Sequence, residues 1–373
     1  MDQIDPSMFP PGMDQDDIAD AIANYYYSCT EVTATCPVEA TTLGYYPNRG
    51  INIFMAIGYA VALVATLALG IRKKTWTYTG FICAGCALEL AGYAARIPLT
   101  DNPWNKHAFE TQIVAIVLSP TLLCISIYLT LKHVCLALNP ALSRVRPHLY
   151  PFIFVPLDVS CLLVQAIGGA LAASAALSNF AMVQHGNRCI IAGIVLQVVV
   201  LMFFGSSAAD YFLRVKKWIN SEGADPGAVA LWRDKKFRTF IYVVSAAYSG
   251  ILIRCIYRIA EMAGGWGNEI MQHEPSFIVL EGFMVLIPCL LLAFFPPGIL
   301  FPQMAARMSA PGRVGLRRKG GEKSDAERQT PADGHESQQQ AVSGDESAPS
   351  DGQVKEKPAA TPAVVEPTSK GAA

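Results

Sequence analysis

Ile251-Leu-Ile-Arg-Cys-Ile-Tyr-Arg-Ile-Ala-Glu261 closes an apolar run that begins near Phe240. The run reads as a membrane-crossing helix, yet it holds two arginines and a glutamate. Arg258 lies four residues and Glu261 seven residues beyond Arg254, so a helix projects all three from one face. A charge near the bilayer centre costs about 2.5–3.5 kcal/mol on insertion scales. Such groups face partners or water, and other segments of the chain must supply those partners.

The composition supports the membrane reading. Of 373 residues, 52% are hydrophobic and only 16% are charged, where a soluble domain averages about 25% charged. The charges gather near the termini and in short loops. A net charge of −1 and the lack of a basic domain argue against a nucleic-acid partner. No apolar stretch follows a basic start, so no cleavable signal peptide is expected.

A span needs about 20 mostly apolar residues. Seven stretches qualify: Ile51–Ile71, Thr77–Ile97, Thr111–Leu131, Pro151–Ala176, Ile190–Leu213, Phe240–Ala260 and Phe277–Phe301. Pro120 predicts a kink in the third, since proline removes a backbone donor. Pro151, Pro156 and Asp158 predict an irregular start to the fourth. Loop charges test the count. Lys and Arg collect after spans one (Arg72, Lys73, Lys74), three (Lys132, Arg144, Arg146), five (Arg214 to Arg238) and seven (Arg307 to Lys319). The alternate connections hold Lys106, Arg188 and no other such charge. The positive-inside rule then places the N-terminus outside and the C-terminus in the cytosol. The expected organisation is an acidic extracellular tail over 1–50, an all-α seven-helix membrane domain over 51–301, and a cytosolic tail over 302–373. That last segment is too polar to fold.

None of the ten cysteines has metal-ligand spacing; Cys83 and Cys86 form a CxxC inside a span. Cys29, Cys36 and Cys189 fall on the expected outer side, where disulfides persist. One pair among them is plausible, and spacing does not choose it. Gly168, Gly169 and Ala172 in span four, with Gly85 and Gly92 in span two, read as helix-packing positions.

The polar residues inside the spans form the candidate site. Glu89, Tyr93 and Arg96 share one face of span two. Asp158 and Gln165 share one face of span four. Gln197 lies in span five; Arg254, Arg258 and Glu261 in span six; Glu281 in span seven. Under the topology above, Arg96, Arg254, Arg258, Glu261 and Glu281 belong to the outer half, Glu89 and Gln165 to mid-depth, and Asp158 to the inner half. Two readings stand. These groups line an outward-opening polar cavity suited to a zwitterion, an amine or an anionic headgroup. Alternatively, Arg254, Arg258, Glu261 and Glu281 are ion pairs that lock helices six and seven, while Arg96 and Glu261 reach the interface. No GxxxxGKS, HExxH or GxSxG occurs, so neither ATP-driven nor hydrolytic chemistry, nor any cofactor, is expected.

Several pieces, in this order and spacing, resemble the fungal lipid-translocating exporter (RTA-like) family. They are Tyr46-Pro47 with Asn52; Glu89-Leu-Ala-Gly-Tyr93-Ala-Ala-Arg96; Ser119-Pro120 with Tyr128; Asp158-Val-Ser160, Gln165 and Gly168-Gly169; Gly186, Gly193 and Gln197; Arg254-Cys-Ile-Tyr257-Arg258, Glu261 and Gly264-Gly265; and His273-Glu274. The resemblance spans about Tyr45 to Leu300. The chain departs from the family at Ile278 and Glu281, where Tyr and Asp are usual, and at Pro296-Pro297-Gly298, where His-Pro-Gly is usual. The family includes an aminocholesterol-resistance protein, a sphingoid long-chain-base exporter and a porphyrin transporter. The resemblance implies a non-enzymatic protein that moves amphipathic lipid-like molecules and contributes to drug or stress resistance. Its expected partners are membrane lipids and such cargo. The expected membrane is the plasma membrane, with the vacuolar or endoplasmic reticulum membrane as alternatives. The rival reading is a seven-span receptor or stress sensor, although span three ends in Leu131-Lys132-His133, not in an acidic-Arg-aromatic triplet.

Overall fold

A computed structural model describes residues 25–26, 28–175, 180–221 and 223–301. The acidic start of the N-terminal tail, the expected span end at Ala176 and the tail over 302–373 lie outside the described residues. Among those described there is no strand, and seven helices are long and apolar enough to cross a membrane. They are α1 (Arg49–Lys73), α2 (Trp76–Arg96), α3 (Lys106–Leu138), α4 (Leu149–Ala175), α5 (Phe180–Ile219), α6 (Lys235–Ala263) and α7 (Glu274–Phe294). The chain is a multi-pass membrane protein.

Local chemistry sets several boundaries. Asn48, Asn105 and Asp234 cap α1, α3 and α6 by accepting backbone N–H groups of the first turn, as short polar side chains do at helix starts. Lys74 ends α1 in the left-handed region at φ 55°, and the chain turns directly into α2. Gly70 is required there: a Cβ would come within 2.1 Å of the Thr79 hydroxyl.

Some helices differ from the hydropathy reading. α5 runs for 40 residues, about 60 Å at 1.5 Å per residue and twice the hydrocarbon thickness. Its ends carry His185, Asn187 and Arg188 at one side and Arg214, Lys216 and Lys217 at the other, which hydropathy trims away. α4 continues straight through Pro151 and Pro156; Pro151 falls in the first turn, where no intrahelical donor is needed. α7 stops at Phe294 because Pro296 and Pro297 cannot extend it, and Pro297–Leu300 forms a separate short turn. Its first part widens into a π-helical turn over Phe277–Phe283.

The bundle buries an apolar core and leaves large hydrophobics outside. Val64, Ile167, Phe152, Phe203 and Tyr242 are among the most exposed, a surface that fits lipid, not water. Tyr128, Tyr150, Phe154 and Phe204 pack as one aromatic cluster between α3, α4 and α5, with Tyr128 and Phe204 centroids 4.4 Å apart. Glycines bring helices close. An added Cβ at Gly186 would lie 2.6 Å from the Gly168 carbonyl, and one at Gly168 would lie 2.7 Å from the Gly186 carbonyl, so α4 and α5 touch backbone to backbone.

Residues 28–48 do not trail away from the bundle. They pack over the end where α2, α4 and α6 finish. Cys29 and Cys36 form the disulfide, and Cys189 is free. Trp104 Nε1–H donates to the Cys36 carbonyl at 3.2 Å, Asn102 donates to the Thr30 carbonyl at 2.8 Å, and the Asn48 N–H donates to Glu274 at 2.7 Å. Tyr26 stacks on Trp104. Removing the disulfide with Cys29→Ser releases a short loop, which is worth about 2–4 kcal/mol for a native bridge. Limited proteolysis should then cut within the cap while the helices stay protected.

Candidate binding site

Pro120 organises the centre of the site. Its missing N–H leaves the Ile116 carbonyl, four residues back, without its helical donor. Arg254 of α6 takes that carbonyl at 3.0 Å and also pairs with the Glu281 carboxylate of α7. One guanidinium therefore ties α3, α6 and α7 together. Glu281 and Arg254 are almost fully buried. Glu281 sits in the π-helical turn, a distortion common at functional positions. The adjacent Gly282 carbonyl accepts from Tyr59 of α1 at 3.0 Å.

Glu89 of α2 joins this group. It lies within electrostatic reach of Arg254 and Glu281, and the Ser119 hydroxyl is within hydrogen-bonding reach. Its Oε1 has no hydrogen-bond partner among the described residues, and neither has the Tyr93 hydroxyl one turn on. Tyr93 stacks on Tyr59 with centroids 5.4 Å apart.

A second polar group lies nearer the capped end. Arg258 donates to Glu261 at 2.6 Å. Arg96 donates to the Tyr45 hydroxyl at 2.6 Å and sits 4.1 Å over the Phe277 ring. Arg96 and Glu261 do not reach the interface: they are 1% and 2% exposed, because the 28–48 cap and the turn Glu269–Gln272 cover them. Together with Gln112 and Phe277 they line a small pocket. Burial raises the Tyr45 phenol above its ordinary value, and the Arg96 guanidinium pulls the other way.

Asp158 belongs elsewhere. It accepts from the Tyr128 hydroxyl at 2.7 Å inside the aromatic cluster and does not join Glu89. Gln165 donates to Gln197 at 3.0 Å, and Gln197 donates to Thr121 at 3.1 Å, linking α4, α5 and α3.

The large cavity is set to one side of these charges. It measures about 650 Å³ and lies between α3, α4, α5 and α6. One wall is α3 from Lys106 to Leu118; the opposite wall includes Gln165, Ala166 and Gly169 of α4. Arg258 lies at its α6 side, and Trp104 and Trp266 stand at the capped end. Val114 and Leu118 line it and are 57% and 39% exposed, so it is open along its α3 wall. Of the sequence-nominated residues, Gln165 and Arg258 line this cavity. Glu89, Asp158, Arg254 and Glu281 do not, because ion pairing and the Tyr128 hydrogen bond hold them inside the helix packing. Gln112, Tyr45, Trp104 and Trp266 also lie at these pockets, and none stands out in the sequence. The aromatics fall in loops at span ends, where they read as ordinary interfacial residues.

The seven-helix bundle, its cavity and its buried charges on α2, α6 and α7 define a multi-pass membrane protein with a polar interior. Residues 82–304 match the family described as RTA1 like protein, and the chain belongs to that family. It is 28% identical to the sphingoid long-chain base transporter RSB1 of Saccharomyces cerevisiae over 297 residues, covering 73% of this chain and 77% of the relative. It is 27% identical to protein RTA1 of the same organism, covering 68% and 84%, and 26% identical to its protoporphyrin uptake protein 1, covering 58% and 68%. No solved structure matches.

Proposed function

We propose that this protein translocates single amphipathic lipid-like molecules, of the sphingoid long-chain-base or sterol-like amine type, and exports them from the cytosolic side. The carrying observation is the cavity of about 650 Å³ between α3 and α4. It lies within the size range of small-molecule sites, about 300–1,000 Å³. It is open to the side, so an acyl chain enters from the bilayer without crossing water. Its apolar α3 wall suits that chain. Lys106, Glu110, Gln165 and Arg258 supply hydrogen-bonding groups for a polar head. The names of the yeast relatives support cargo of this kind.

The proposed orientation has the capped end outside the cell. The basic loops support it through the positive-inside rule, and the Cys29–Cys36 bridge supports it because disulfides persist in oxidising compartments. The plasma membrane is the proposed location and resistance to toxic amphiphiles the proposed consequence; both rest on the family.

The test is reconstitution of the full chain alone in liposomes with a fluorescent sphingoid base. Translocation well above the protein-free rate is expected. A rate equal to that of empty liposomes is the result a receptor or sensor would give, and it would refute the proposal.

A further inference from the structure

Three buried carboxylates and three buried arginines sit in the capped half of the bundle, and they do not pair evenly. Glu261 has Arg258 at 2.6 Å, and Glu281 has Arg254. Arg96 is held by Tyr45 and Phe277, seven residues and about 10 Å along α2 from Glu89. Glu89 is left over. It is 1% exposed, and its Oε1 has no hydrogen-bond partner among the described residues. The Ser119 hydroxyl is within reach of Glu89, and the Gly85 carbonyl competes for its hydrogen at 3.0 Å. The groups facing Glu89 are Tyr59 on α1, Tyr93 on α2, Ser119 on α3, Arg254 on α6, and Glu281 and Cys289 on α7. Arg254 is the cation among them, and two carboxylates compete for it.

We propose that Glu89 is a proton-binding site, holding its proton while Arg254 pairs with Glu281. A proton taken from water adds to the Glu89 carboxylate and makes a neutral carboxylic acid, leaving Arg254 and Glu281 as a balanced pair. Loss of that proton to water leaves two carboxylates sharing one guanidinium. Arg254 is then drawn from Glu281 toward Glu89, which loosens the link between α6 and the π-helical turn of α7. A buried ionisable group in a span that can change partner is the arrangement a proton relay needs. The coupling of this proton to cargo rests on the transport function proposed above; the proton site itself does not.

The test is infrared difference spectroscopy on the full-length protein in lipid nanodiscs, with pH steps across the neutral range and no cargo. The wild type should show a protonated-carboxyl band at neutral pH that disappears on alkalinisation. Glu89→Gln should lose this band, Asp158→Asn should retain it, Glu281→Gln should move its midpoint to lower pH because Arg254 is then free to pair with Glu89, and Tyr93→Phe should shift its midpoint. A wild type without the band, or a Glu89→Gln protein that retains it, would overturn the assignment. Loss of the band in Glu89→Gln with no cargo movement by the wild type in liposomes would leave the proton site standing and refute transport.

Discussion

Arg254→Leu should give little folded protein, whereas Arg254→Leu combined with Glu281→Leu should be recovered in good yield. The single change leaves the Glu281 carboxylate and the Ile116 carbonyl, its two partners, without the guanidinium. Breaking one side of a buried pair costs about 3–5 kcal/mol, while replacing both sides with apolar groups is often neutral or stabilising. Against a typical total of about 5–15 kcal/mol, the single loss is a large share. The check is the monodisperse fraction after detergent extraction, followed by the thermal midpoint. A single variant as stable as wild type would show that Arg254 does not hold α6 and α7 together. The same measurement has to accompany any flux assay at this position, since loss of transport and loss of fold otherwise look alike.

Gly186→Leu should be the next most damaging change. The Cβ alone would meet the Gly168 carbonyl at 2.6 Å and the Ala172 nitrogen at 2.7 Å. Both are backbone atoms of α4 and cannot rotate aside. Overpacking costs about 1–3 kcal/mol and more where the obstacle cannot relax, so a loss of about 3 kcal/mol is expected. Gly169→Ala is the control. A Cβ there meets nothing within 4 Å, and alanine favours the helix by about 0.5–1 kcal/mol. Thermal midpoints of the two variants should therefore move in opposite directions. Equal destabilisation would contradict the α4–α5 contact.

These adjacent glycines show where sequence reading runs out. Gly168 and Gly169 look alike as letters in a small-residue stretch, but one residue is a turn of about 100° on a helix. Gly168 meets α5, and Gly169 faces the cavity. The cavity arises from the spacing of α3, α4, α5 and α6 along part of their length, and no motif encodes that. The spans were legible because apolar length is a local property. So was the placement of Arg254 and Glu281 in the same half of the bundle, since helical spacing and span direction fix depth; Glu89 reads as mid-depth, and the fold brings it to them. Their pairing was not, because it depends on the rotation of each helix and on a π-helical turn at Phe277–Phe283. Pro120 was legible as a missing backbone donor, although α3 runs through it unbroken. Its partner across the bundle was not, because Ile116 offers only a carbonyl and leaves no trace in the side-chain pattern.

Gly169→Phe tests the central claim most directly. Its ring has open space to enter and would obstruct the cavity without touching the Arg254–Glu281 pair. In liposomes holding equal amounts of folded wild-type or variant protein, flux of a fluorescent sphingoid base should fall to the protein-free rate with the phenylalanine and stay near wild type with Gly169→Ala. Undiminished flux through the filled variant would mean that cargo crosses by another route, and the cavity between α3 and α4 would have no part in it.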